Sequence, residues 1–249
     1  EISACLVGSE MCIRDRGMIY GYIYEGTYKY DDFDKSGSSY TLKGNIPHYV
    51  SESNTQPGMP KYKDLNGDGI IDTNDRTMIG RGLPIHTGGF TNNFEYKGFD
   101  LSVFFQWSYG NDVLNANRLF FDSGFQKKRE LNQYASYTDR WTPENPNSNI
   151  PAATNSSSNL VISSRVVEDA SFLRLKTVTL GYTVPKTFLK KYKIDNARLY
   201  VAAQNLWTIT GYSGYDPEVS IRSGGLTPGL DFSSYPRALS VSFGINLGF

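Results

Sequence analysis

Leu239-Ser-Val-Ser-Phe-Gly-Ile-Asn-Leu-Gly-Phe249 ends the sequence, and its side chains alternate without a break. Leu239, Val241, Phe243, Ile245, Leu247 and Phe249 are apolar, while Ser240, Ser242, Gly244, Asn246 and Gly248 between them are small or polar. Successive side chains of a strand point to opposite faces, so a period of two predicts a strand with one greasy face. At about 3.3 Å per residue the run matches the length of a tilted transmembrane strand. A half-buried strand of a soluble sandwich would show the same alternation, and this segment alone leaves both readings open.

The pattern recurs upstream. Phe99, Leu101, Val103, Phe105 and Trp107 share one face and Asp100, Ser102 and Gln106 the other, with Phe104 as the exception. Before them, Phe90, Phe94 and Tyr96 alternate with Thr91, Asn93, Glu95 and Lys97, and Lys97-Gly98 reads as the tight turn of a hairpin. Further strands are expected at 18–29, 171–184 and 198–209. In 171–184 the apolar phase moves from odd (Leu173, Leu175) to even (Val178, Leu180, Tyr182, Val184), which predicts a bulge near Thr177. In 18–29, Met18, Tyr20, Tyr22, Tyr24 and Tyr28 share a face, as an interfacial aromatic girdle or a cross-strand ladder would.

Composition narrows the function classes. The 249 residues include 25 Lys+Arg against 25 Asp+Glu, a balance that gives no electrostatic argument for a nucleic-acid partner. With 18 Tyr, 14 Phe and 24 Gly the chain suits strands and turns. No apolar run approaches the roughly 20 residues of a spanning helix, so a membrane reading rests on strands. Residues 1–16 (EISACLVGSEMCIRDR) differ in texture and lack a signal peptide's basic flank; they are expected to be an artefactual leader outside the fold, leaving 17–249 as the folded part. Both cysteines, Cys5 and Cys12, lie in that leader, so no disulfide is expected.

Connections are asymmetric. Lys97-Gly98 and Pro185 to Asn196 are short, whereas 31–84, 108–170 and 210–237 are long and rich in Gly, Ser, Asn, Asp and Pro. Structureless loops above about 15 residues count against a soluble domain. Outer-membrane barrels routinely pair short periplasmic turns with long extracellular loops. With Phe249 periplasmic, counting strands backwards puts all three long connections on the outer side.

Candidate chemistry is sparse. Asp64-Leu-Asn66-Gly-Asp68-Gly69-Ile70-Ile-Asp72-Thr-Asn-Asp75 sets oxygen side chains at loop positions 1, 3, 5, 9 and 12, with Gly69 at 6 and the Ile70 carbonyl at 7. That is a calcium-loop spacing: a hard cation needs several oxygens at once, and glycine permits the sharp turn that gathers them. Asp75 replaces the usual bidentate Glu, and no flanking helices are expected, so the ion would be structural Ca2+ in a β-protein insertion. The alternative is an Asx-rich turn that hydrogen-bonds itself.

His48 and His86 sit beside prolines, outside any nucleophile or ligand motif. Asp216-Pro-Glu218 brings two carboxylates close, but a glycosidase needs them opposed across a bond, so a turn is expected. The Lys186–Lys193 cluster is read as a solvated turn or a contact for acidic headgroups, and Ser223-Gly-Gly225 lacks a phosphate-loop lysine. No catalytic residue and no organic cofactor are expected.

An ordered series then carries a resemblance: Tyr20-Gly-Tyr-Ile-Tyr-Glu-Gly26, Asp64 to Asp72, Asn93-Phe-Glu-Tyr-Lys-Gly-Phe-Asp-Leu-Ser102, Glu168-Asp-Ala-Ser-Phe-Leu-Arg-Leu-Lys176, Thr179-Leu-Gly-Tyr-Thr-Val-Pro185, Gln204-Asn-Leu206, Gly214-Tyr-Asp-Pro-Glu218 and Tyr235-Pro236 before the final strand. Across 17–249 it resembles the C-terminal part of SusC/RagA-like TonB-dependent transporters of Bacteroidetes-type bacteria. The resemblance implies an all-β, antiparallel, partial transmembrane β-barrel with long extracellular loops, supplying six of about twenty-two strands. It further implies outer-membrane import of oligosaccharides or peptides, an N-terminal plug and TonB contact lying outside this sequence, and a SusD-like lipoprotein partner. Tyr235, Phe243 and above all Phe249 would serve as the signal read by the barrel-assembly machinery. A secreted calcium-dependent carbohydrate-binding sandwich is the alternative.

Overall fold

The computed structural model describes residues 17–123, 132–154, 159–189, 194–220 and 229–248. The leader 1–16 and Phe249 lie outside the described residues, as does Ser223-Gly-Gly225. Two compact units divide the chain: one from Pro84–Asn111, Asp169–Val219 and Tyr235–Phe249, the other from Glu1–Leu83, Asp112–Glu168 and Ser220–Ser234.

The first unit is one antiparallel sheet of five strands: β1 (His86–Tyr96), β2 (Phe99–Tyr109), β3 (Phe172–Thr183), β4 (Asn196–Thr210) and β5 (Ser240–Gly248). Their spatial order is β5-β4-β3-β2-β1. It is not closed: β1 and β5 are edges among the described residues. Register turns the alternation of each strand into rows across the sheet. Tyr96, Phe99, Tyr182, Leu199 and Ile245 form one row, and Phe94, Leu101, Leu180, Val201 and Phe243 the next.

Further along, Phe90, Phe105, Leu175 and Trp207 align, then Trp107, Leu173 and Ile209. The expected bulge makes these rows continuous. Leu175 faces Phe105 but Thr177 faces Phe104, so β3 spends an extra residue at Lys176; β4 answers with Asn205 at φ 54°. A one-residue slip sends every later side chain to the other face, and this bulge restores the apolar phase to the side β2 never left.

The β1–β2 turn is the expected two-residue hairpin, with Lys97 and Gly98 both at positive φ (47° and 88°) and Tyr96 paired to Phe99. The alternation in the sequence starts at Phe90, but β1 begins at His86, because Gly88 and Gly89 are strand residues with Trp107 and Phe104 lying over them. A side chain at either would drive into those rings.

The opposite face is polar, with rows such as Asn93, Ser102, Thr179, Ala202 and Ser242. Here Arg198 of β4 reaches across β3 to Asp100 of β2, Nε to Oδ1 at 3.0 Å and Nη2 to Oδ2 at 2.5 Å. Gly181 lies between them, and a Cβ there would enter both charged groups.

The second unit corrects the reading of 18–29. That segment is two four-residue strands, Met18–Gly21 paired with Thr77–Arg81 and Tyr24–Thr27 paired with Pro60–Tyr62, separated where Tyr22 bridges Ser163. Its tyrosines form no girdle: Tyr22 and Tyr28 are buried, and Tyr22 packs on Tyr49 and Tyr62 with centroids 5.6 and 5.4 Å apart. The sheet therefore takes five of the six expected strands. Nor are the long connections structureless. Phe33–Ser36 and Ser39–Leu42 form a hairpin, and Asp112–Asn115 runs parallel to Leu230–Asp231, departing locally from an antiparallel rule.

Replacing Gly181 with Val should force Asp100 and Arg198 apart and cost about 1–3 kcal/mol. Gly211→Ala, with nothing near its Cβ position, should be close to neutral. The urea midpoint of the natural polypeptide in detergent measures both.

Candidate functional site

Two features of the five-stranded sheet stand out from the residues upward. One is the apolar face. Large side chains on it remain open to their surroundings: Phe243 is 79% exposed, Ile245 66%, Phe94 60% and Trp207 58%. A contiguous greasy surface of this kind is abnormal in water and marks a surface meant for lipid or another apolar partner. Aromatic rings collect toward both ends of the rows, with Tyr96, Phe99 and Tyr182 at the turn end and Trp107, Tyr109 and Trp207 at the other, as interfacial anchoring requires. Phe99 and Tyr182 touch at 4.6 Å between centroids.

The other is an ion cluster on the polar face. Arg174 of β3, only 2% exposed, donates from Nη2 to Asp216 Oδ1 (2.5 Å), from Nη1 to Glu218 Oε2 (3.0 Å) and from Nε to Thr208 Oγ1 (3.0 Å). Arg237 and Lys176 also face Glu218, at 3.1 and 3.5 Å. Asp216 accepts the backbone N–H groups of Glu218 and Arg237 as well. Burial alone pushes the Asp216 carboxyl up, but Arg174 and those two N–H groups outweigh it and hold it below the usual carboxylate range. Asp216-Pro-Glu218 is thus the expected turn, and both carboxylates converge on one guanidinium instead of opposing each other across a cleft. Arg174 is not among the residues that the sequence pattern singles out, although a cation on the polar phase of an apolar strand is a signal for it.

The 64–75 loop is tightly self-bonded. Asp64 accepts from the N–H of Gly67 (2.6 Å) and Gly69 (2.8 Å), Asn66 from Asp68, Asp68 from Ile70, and Asp72 from Asn74. Gly67 and Gly69 take positive φ, as the turns demand. Asp75 is fully buried and accepts from Leu65, Asn66 and Asp72. Burial would raise its carboxyl, yet these N–H groups hold it lowered. These bonds make the loop an Asx-turn network, and among the described residues no three His, Cys, Asp or Glu side chains gather as a metal site.

The remaining candidates are scattered. His48 bridges Ile70 through its backbone, and His86 Nδ1 accepts from Trp107 Nε1 at 3.2 Å while stacking on Tyr109. Tyr235 is 93% exposed, Phe243 lies on the apolar face, and Phe249 is outside the described residues.

Arg174→Met should cost about 3–5 kcal/mol, because it leaves Asp216 buried without its cation. A carboxyl lowered by folding contributes stability that is present above its unfolded value and lost as pH falls through the folded one. Asp216 and Asp75 both have that sign, so thermal stability should hold from pH 7 to about 5 and fall below about 4, less steeply in Asp216→Asn.

No protein-family model matches the chain. It is 37% identical to TonB-dependent receptor P3 of Formosa agariphila over 238 residues, 94% of the chain and 22% of that receptor. It is 28% identical to TonB-dependent receptor SusC of Bacteroides thetaiotaomicron over 201 residues, 80% of the chain and 18% of SusC. A structure of the RagAB peptide transporter matches 93% of the chain and 23% of its own, with 26% identity and a TM-score of 0.66. The RagAB peptide importer in its closed-closed state gives 25% and 0.67 over the same shares. The chain spans about a fifth of the length of these curated relatives. In sequence and in fold it is a SusC/RagA-like stretch of a TonB-dependent receptor.

Proposed function

We propose that this chain forms part of a TonB-dependent outer-membrane importer that takes up oligosaccharides or peptides and works with a SusD-like surface lipoprotein. The observation that carries this is the exposed apolar face of the five-stranded sheet, bordered by aromatic rings and backed by a polar face. A sheet with lipid on one side and an aqueous lumen on the other needs that division of side chains. A secreted sandwich needs a second sheet over the apolar face, and Phe243, Ile245 and Phe94 stand exposed instead.

On this reading the protein resides in the cell outer membrane, with the turn at Lys97-Gly98 and the chain's C-terminus periplasmic and the segments between the far strand ends extracellular. TonB engages through a plug belonging to the rest of the receptor. The barrel-assembly machinery reads the final strand, with Tyr235, Phe243 and Phe249 as its signal. The chain supplies wall and loops to gated transport and performs no covalent chemistry.

Ca2+ enters the reading as a structural ion of the 64–75 loop, supported by the spacing of its oxygen side chains. Binding requires Asp64, Asp68 and Asp72 to turn toward one point, with the Ile70 carbonyl joining them. Calorimetric titration should show binding at millimolar Ca2+ that weakens in Asp68→Ala; absence of heat removes the ion from the account.

Deleting the gene that carries this sequence in its source organism should abolish uptake of a particular oligosaccharide or peptide while leaving growth on simple sugars intact. The protein should fractionate with the outer membrane. Unchanged uptake across an oligosaccharide and peptide panel, with the product in the soluble fraction, overturns the reading.

A further inference from the structure

We infer that Asn66-Gly67 and Asp68-Gly69 form a paired site of succinimide modification, and that the Asp64 carboxylate holds both halves closed in the folded chain, whatever medium the five-stranded sheet meets. These are the only Asn-Gly and the only Asp-Gly dipeptide in the sequence, and they are consecutive. Glycine has no Cβ to shield its nitrogen, so these are the places where a main-chain nitrogen most readily attacks the side chain before it. At Asn66 the attack forms a bond from the Gly67 nitrogen to Cγ and breaks the Cγ–Nδ2 bond, and the nitrogen's proton leaves with Nδ2 as ammonia. At Asp68 the same ring closes from the protonated carboxyl with loss of water. Water then opens either ring to aspartate or to isoaspartate, whose main chain runs through Cβ. Asn66, Gly67 and Asp68 are exposed, so that water reaches them.

One carboxylate stands at both attacking nitrogens. Asp64 Oδ1 accepts the Gly67 N–H at 2.6 Å, and Asp64 Oδ2 accepts the Gly69 N–H at 2.8 Å. A hydrogen bond to an ionised acceptor is stronger than a neutral one. Attack requires each nitrogen to give up that proton beside a negative charge, which opposes a second negative charge forming there. The groups under attack are engaged as well. Asn66 Oδ1 accepts the Asp68 N–H at 3.0 Å while its Nδ2 donates to Asp68 Oδ2 at 2.8 Å, and Asp68 Oδ1 accepts the Ile70 N–H at 2.8 Å. Each side chain is thus turned to the nitrogen two residues on and not to the next one. The turns themselves require glycine, since Gly67 and Gly69 sit at φ 78° and 83°. A bulkier neighbour would slow the chemistry but strain the loop, so the labile dipeptides come with the fold and their protection falls to Asp64.

The test ages the natural polypeptide in warm neutral buffer with EDTA, which keeps divalent cations off Asp64, and then maps the peptide containing 64–75 by mass spectrometry. Deamidation at Asn66 reads as a gain in mass, and electron-transfer fragmentation separates isoaspartate from aspartate at both positions. The folded, unsubstituted chain should change slowly, and Asp64→Ala about tenfold faster at both Asn66 and Asp68, the protection that a hydrogen bond to a charged acceptor supplies. Asp72→Ala removes a neighbouring turn of the same loop, where Asp72 accepts from Asn74, and should leave both rates unchanged. In concentrated urea all three chains should age alike and faster than the folded, unsubstituted one. Ageing of the folded chain as fast as in urea, or no acceleration in Asp64→Ala, overturns the proposal. Equal acceleration by Asp72→Ala overturns it too, because protection would then belong to the order of the whole loop and not to Asp64.

Discussion

Everything in the five-stranded sheet depends on one constraint: backbone N–H and C=O groups must be paired strand to strand while a whole face of side chains stays apolar. Without water beside it, an unpaired peptide group costs several kcal/mol, so pairing cannot lapse where the chain changes direction or phase. β3 shows how both demands are met. It bonds β2 on one side and β4 on the other through a bulge, and the extra residue at Lys176 keeps Leu173 and Leu175 on the same face as Leu180 and Tyr182. Moving that extra residue would turn half the strand's apolar side chains inward.

The polar face obeys a different economy. Asp100 and Arg198 retain about a third of their side-chain exposure, so their pairing contributes on the order of 1 kcal/mol or less. Its structural significance is geometric, for it spans three strands and requires Gly181 between them. Arg174 is the opposite case. Buried, with three acceptors, it fixes the 216–218 turn against β3, and its value lies in leaving neither carboxylate unpaired. Loss of one partner is therefore far more damaging than the net strength of the cluster suggests.

Much of the sheet was legible because its signals are local. The alternation before Phe249, the Lys97-Gly98 turn and the phase change near Thr177 each lie within a few residues, and each has its structural counterpart. The 18–29 segment alternates just as well, yet its strands find partners at 60–62 and 77–81 and its break at Ser163. Periodicity shows that a strand has two faces and says nothing about what covers them. Gly88 and Gly89 read as loop composition because the rings that need their bare backbone, Trp107 and Phe104, come from the neighbouring strand. The Arg174 cluster and the Asp100–Arg198 pair were invisible for the same reason: their partners stand 42 and 98 residues apart. In the 64–75 loop the spacing of oxygens was plain, but spacing alone does not decide whether they turn to an ion or to their own N–H groups.

The central claim is that one face of this sheet meets lipid, and residues 17–249 contain no cysteine, so single cysteines can report on it directly. Spin labels placed in turn at 239–248 in the natural polypeptide, reconstituted in bilayers, should show a period of two. Odd positions should be relaxed by oxygen dissolved in the bilayer and shielded from a water-soluble nickel chelate, with even positions showing the reverse bias. Uniform access to the chelate along the strand, or odd positions shielded from both reagents, would contradict the account.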